Sequence, residues 1–155
     1  MRRVAAILGT AAVVLMTASV FAQTPNFAGK WTADAEKNAA AMGGRAGRGG
    51  MGGDMTIAQD AKTLTITRTT QAGEFKTVYM LDGTESKNMM AGRGGGAPME
   101  QISVAKWDGA KLTITTGQNV AVYAMDGAWL TIATTRPGRG GGEATTTTLF
   151  YKKAM

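Results

Sequence analysis

Arg68 stands out among the residues able to do chemistry, because it follows Leu64 and Ile66 at every second position of one run. In an extended strand that spacing puts all three side chains on one face, so the guanidinium shares the apolar side. A guanidinium held there can clamp a carboxylate or phosphate through paired N–H groups. The alternative is an arginine that bends its stem back to the rim and binds nothing. Thr116 and Thr134 hold the equivalent places after Leu112 and Ile114, and after Leu130 and Ile132, and would add hydroxyls. Tyr79 and Tyr123, with Arg93 and Arg136, complete the candidate ligand contacts.

Composition removes most other chemistry. With 0 cysteines and 0 histidines there is no Ser-His-Asp triad, no Cys-His pair, no disulfide, and no ordinary zinc, haem or blue-copper site. Only carboxylates, Lys, Tyr and Ser/Thr remain, and Asp60, Asp82, Asp108 and Asp126 all sit where turn chemistry explains them. These residues point to a protein that is not an enzyme and carries no cofactor. Methionine is plentiful, at 11 residues. Met42, Met51, Met89, Met90 and Met99 lie in or beside glycine-rich stretches, where thioethers could take Cu(I) or simply fill space. Met55, Met80 and Met125 read as core, and no metal site is assigned.

The first residues read as a leader. Met1-Arg2-Arg3 is a basic head, residues 4–20 are an apolar run, and Val20-Phe21-Ala22 suits a signal peptidase. Cleavage after Ala22 leaves 133 residues, one domain over 23–155, and lowers the charge of +6 to +4. The mature chain is then periplasmic or secreted, without a transmembrane segment.

The elements that must position Arg68 are strands. The run Trp107-Asp108-Gly109-Ala110-Lys111-Leu112-Thr113-Ile114-Thr115 reads as strand, tight turn, strand, with Asp108-Gly109 suited to a type I′ turn. The same unit recurs at 60–66 and 126–132. Strands are expected over 29–32, 54–59, 63–70, 74–81, 85–90, 99–107, 111–116, 119–125, 129–135 and 144–152. A short helix follows the first, within 34–42. Short connections make the whole an all-β, antiparallel up-and-down meander, closed into a barrel of about 8–10 strands. Leu64, Ile66, Leu112, Ile114, Leu130 and Ile132 share the inner face, and a threonine coat on the other face suits water rather than lipid.

Alternate connections in a meander fall at alternate ends. The Asp-containing turns then seal one end, and the Gly/Arg loops at 43–53, 91–98 and 136–142 share the other. Three stretches in those loops hold fifteen of the 22 glycines, accompanied by Arg45, Arg48, Arg93, Arg136 and Arg139. Without interleaved aromatics for base stacking they are not a nucleic-acid motif. A basic rim suits an anionic ligand, envelope surface or polysaccharide.

Asn26-Phe27-Ala28-Gly29-Lys30-Trp31, the glycine-rich first loop, the Asp-Gly hairpins and the closing strand at 145–153 together resemble small exported bacterial lipocalin-like (calycin-type) proteins. The resemblance implies a closed barrel with Trp31 sealing its bottom, and a small hydrophobic or amphipathic ligand inside. Fatty-acid-binding proteins of this superfamily carry Arg-x-Tyr on the last strand. Here Leu149-Phe150-Tyr151 puts Leu149 in the arginine's place, which leaves Arg68 as its substitute. The expectation is an exported barrel that takes an amphipathic, anionic ligand through the Gly/Arg end. The alternative is a non-catalytic structural or surface-interaction module with a filled core, whose loops contact anionic envelope polymer.

Overall fold

The computed structural model describes residues 24–41, 53–70, 73–90 and 97–155. The leader at 1–22, Arg45, Arg48, Arg93, Met42 and Met51 lie outside these residues.

Ten strands and one helix follow in order: β1 (Gly29–Ala33), α1 (Ala35–Ala41), β2 (Met55–Gln59), β3 (Thr63–Thr70), β4 (Gly73–Met80), β5 (Glu85–Met90), β6 (Met99–Asp108), β7 (Lys111–Thr116), β8 (Asn119–Asp126), β9 (Trp129–Arg136) and β10 (Thr145–Lys153). All ladders are antiparallel, and β1 pairs with β10 as well as β2, so the meander curls back on itself. The spatial order runs β4-β3-β2-β1-β10-β9-β8-β7-β6-β5. β4 and β5 are the two ends of the sheet, and no ladder joins them among the described residues. Inward-facing side chains span this seam instead. Asn88 accepts from the Val78 N–H at 2.8 Å and donates to the Val78 carbonyl at 2.9 Å, while Ser86 Oγ accepts from the Met80 N–H at 2.7 Å. The barrel is nearly closed.

Strand alternation sorts the side chains as period two requires. Leu64, Leu112 and Leu130 are fully buried, and each such side chain contributes ~1.5–3 kcal/mol relative to exposure. Ile66, Ile114 and Ile132 sit beside them in one continuous core. Two methionines do not follow. Met80 lies opposite Thr63 on the outer side of β4, and Met125, near the end of β8, is 37% exposed.

The hairpin turns also differ from expectation. Asp108 pairs with Lys111 and Asp126 with Trp129, so the turn centres are Gly109-Ala110 and Gly127-Ala128. Each glycine has φ near +60° and no other residue type has a positive φ among the described residues, the pattern of a type II′ turn rather than I′. The aspartates end the strands instead of occupying the turns.

Turns at Asp60, Asp82, Asp108 and Asp126 do share one end. Phe27 plugs it, stacked on Trp107 at 5.7 Å and beside Tyr123 at 6.3 Å. Gln59 holds the plug, accepting from the Phe27 N–H at 2.8 Å and donating to the Pro25 carbonyl at 3.1 Å.

On the outer face of the wall α1 leaves β1 and packs on β10. Asp34 caps it, accepting from the Lys37 N–H at 2.8 Å, and takes Lys152 as an ion-pair partner at 2.8 Å. Buried Asn38 accepts from the Phe150 N–H at 2.7 Å and donates to the Phe150 carbonyl at 3.0 Å. Lys37 lies over the Trp129 and Phe150 rings, 4.8 and 5.1 Å from their centroids.

Hydrogen bonds from Lys152 and the Lys37 amide hold the Asp34 carboxyl below its ordinary value. Bonds from Thr63 do the same for Asp60, and from Thr84 for Asp82. A depressed carboxylate favours the fold at every pH above its unfolded value, and that contribution disappears as pH falls through the lowered folded value. Thermal midpoints measured against pH are expected to stay level between about pH 7 and 5 and to fall below about pH 4. Asp34→Asn is expected to flatten part of that fall.

Candidate functional site

Every odd-numbered strand from β3 to β9 runs from the plugged end toward the Gly/Arg end. Arg68 lies late on β3, opposite Met55 of β2 and Phe75 of β4. Its backbone is therefore near the mouth, on the same face as Leu64 and Ile66. The guanidinium turns inward, not over the rim, and its charge acts on the buried Tyr123 phenol. In the ring of ten strands, β3 and β8 are five places apart in either direction. The Arg68–Tyr123 contact thus crosses the barrel from wall to wall.

Two more phenols complete the group. Tyr79 on β4 feels the Arg68 charge, and Tyr151 on β10, fully buried, interacts electrostatically with Tyr123. Burial pushes the Tyr123 phenol far above its ordinary value of 10.0; neighbouring Tyr79 adds to the rise, and the charge of Arg68 opposes it. Burial also raises Tyr79, against the pull of Arg68. Tyr79 and Tyr123 thus lie within the field of one cation, which has no carboxylate paired with it among the described residues. The two ion pairs among the described residues are Lys87–Glu100 and Lys152–Asp34, and neither involves Arg68. Asp34 is the buried carboxylate among them, and Lys152 already holds it.

The remaining candidates stand apart from this group. Thr116 spends its hydroxyl on Ser103 Oγ at 2.7 Å. Thr134 is half-buried between Ala121 and Thr147. Arg136 is exposed at the mouth end of β9, opposite Thr145. Arg93 lies outside the described residues. Trp31 is 2% exposed and donates its indole N–H to the Phe27 carbonyl at 2.8 Å, which ties it to the plug. Tyr151 is the residue that reading the strand for a missing arginine overlooked; its alternation with Leu149 marks it as inward-facing.

No group of three or more His, Cys, Asp or Glu is placed to hold a metal ion among the described residues. None of the helices there is long and apolar enough to cross a membrane. An outer groove of about 450 Å³ crosses β1 to β4, lined by residues that include Lys30, Thr32, Asp54, Thr56, Thr67 and Glu74. Neither Arg68 nor any of the three tyrosines lines it.

No protein-family model matches the chain, and a search of curated proteins returns no match. Among solved structures it is similar to zebrafish ileal bile acid-binding protein complexed with cholic acid. The TM-score is 0.59 at 21% identity, over 83% of this chain and 98% of that one. The two share a fold. A likeness at that identity concerns architecture, so the chemistry must come from Arg68 and its neighbours.

Tyr123 is expected to remain protonated at about pH 11, where a free phenol is mostly ionised. Arg68→Met, which removes the opposing cation, is expected to raise it further. A raised phenol favours the fold fully below the unfolded value near 10, and the contribution is lost as pH rises through the folded value. Tyrosine ring NMR across the alkaline range checks this; Tyr123 ionising near its ordinary value would contradict the buried contact.

Proposed function

We propose that this barrel binds a small amphipathic anion, with its acidic head on Arg68, Tyr123 and Tyr79 and its apolar body against the inner wall. The observation that carries the reading is a guanidinium turned into the barrel with phenols, and no carboxylate, around it among the described residues. Arg68 is half-buried; a cation partly withdrawn from water is costly unless an anion or several hydrogen bonds answer it, and an anionic guest supplies the missing charge. The inner face supports the same division of labour. Ile66, Leu112, Ile114 and Ile132 form apolar wall, while Thr134 and Thr147 leave hydroxyls toward the mouth. The fold shared with a bile acid-binding protein suits a hydrophobic guest held inside a barrel.

The protein acts, in this reading, outside the cytoplasm once residues 1–22 are removed, and binds without turning over its ligand. Mass spectrometry of protein purified from its own host is expected to give a chain that begins at Gln23. A chain retaining its leader would contradict export by this route.

Ligand binding is tested by titrating a fluorescent fatty-acid analogue. Saturable binding is expected, with Arg68→Met weakening it about ten- to hundredfold, the worth of one or two hydrogen bonds to a charged group. Thr134→Ala is expected to change it by less than about threefold. Absence of saturable binding, or equal affinity in Arg68→Met, would sink the assignment.

A further inference from the structure

The seam between β4 and β5 is not uniform along its length. The three hydrogen bonds that span it all fall on Val78 and Met80, in the half nearer the plugged end. Mouthward of Val78, residues 75–77 of β4 and 89–90 of β5 share no hydrogen bond among the described residues. Phe75 forms one lip of this stretch, and the other carries Met90, 39% exposed, paired with Met99, 68% exposed. Phe75 is also the register partner of Arg68. The unlatched half of the seam therefore lies one strand away from the guanidinium.

Every other strand junction in the barrel is a backbone ladder. Parting one of those means breaking several N–H···O=C bonds that nothing else satisfies. Parting the seam means releasing one amide and one hydroxyl side chain, each of which can turn to water by rotation about its own bonds. The wall is thus weakest at the one junction that leads sideways to Arg68. We propose that the β4–β5 seam is a gate, latched by Asn88 and Ser86, which parts to admit the amphipathic ligand to Arg68 and closes behind it. Phe75, Met90 and Met99 would pass the apolar body; the flexible thioether chains adapt to a guest without a fixed shape. This rests on the ligand reading above and concerns the route rather than the destination.

The chain has no cysteine, so a cross-link across the seam is unambiguous. Lys76→Cys with Met89→Cys, both on the outer face, joined by a short bifunctional thiol reagent, is compared with the same protein left unlinked. A control bridge joins Thr115→Cys to Val120→Cys across the β7–β8 ladder. Stopped-flow binding of the fluorescent fatty-acid analogue is expected to show association slowed more than about tenfold by the seam bridge. The control bridge is expected to leave it unchanged, and reduction of a cleavable linker to restore it. Hydrogen exchange without ligand gives a second readout: the Val78 and Met80 amides are expected to exchange at least about tenfold faster than those of Ile114 and Ile132. Asn88→Ala is expected to accelerate Val78 further. Saturable binding with an unchanged association rate in the seam-bridged protein would overturn the gate and leave the ligand reading standing. Val78 and Met80 as protected as the core amides would overturn the gate too. No saturable binding in the unlinked protein would remove the ligand reading and the gate together.

Discussion

A cation on one wall of a barrel that acts on a phenol of the opposite wall is an unusual constraint, because both walls must be held at the right separation for the two to meet. The Arg68–Tyr123 contact imposes that demand here. It needs β3 and β8 to face one another across a ring of ten strands, and it needs the strand register to set Arg68 on the same face as Leu64 and Ile66. The plug at one end keeps the lower wall tight, since Phe27 stacks on Trp107 and approaches the Tyr123 ring. The sealed end is thus part of what holds Tyr123 where the guanidinium can reach it. A charge is thereby placed between an apolar, aromatic lower wall and the polar residues nearer the mouth.

The wall itself depends on two asparagines. A carboxamide carries one acceptor and one donor at the spacing of a peptide group, so it can take the place of a missing strand neighbour. Asn88 does this for Val78 across the seam, and Asn38 does it for Phe150 where β1 has left β10. Both are buried. Each satisfies main-chain groups that would otherwise face an apolar interior or an unpaired edge, at a cost of roughly 1–3 kcal/mol if left open. The difference lies in the surroundings. Asn38 is backed by a helix, an ion pair and a lysine over two aromatic rings, whereas Asn88 has only Ser86 beside it.

Much of this was legible in the sequence because it is local. Period-two alternation and glycine turns set β3, β5 and β7 to the residue, and the alternation of Leu64, Ile66 and Arg68 put the arginine on the inner face. Local signals also misled where two readings share one residue type. Asp-Gly suggested a type I′ centre, but the strands extend one residue further and the glycine alone enters the left-handed region. Met80 was assigned to the core by its chemistry, while its parity against Tyr79 sends it outward. What depends on distant partners was not legible. Asn38 and Phe150 are 112 residues apart, and nothing in Ala35–Ala41 announces the bond. The missing ladder had one visible trace: Ser86 and Asn88 are polar at the inward positions of β5, where other strands carry Leu or Ile.

The central claim is that a single guanidinium inside the barrel receives an acidic head group. The most direct measurement is the Nε–H resonance of Arg68 in an 15N NMR spectrum during titration with a long-chain carboxylate. Engagement of the guanidinium by a carboxylate predicts a downfield proton shift that saturates at one equivalent, accompanied by changes at Tyr123. An Arg68 resonance that stays fixed while carboxylate is added in excess, or one that moves only with the rim arginines, would contradict the account.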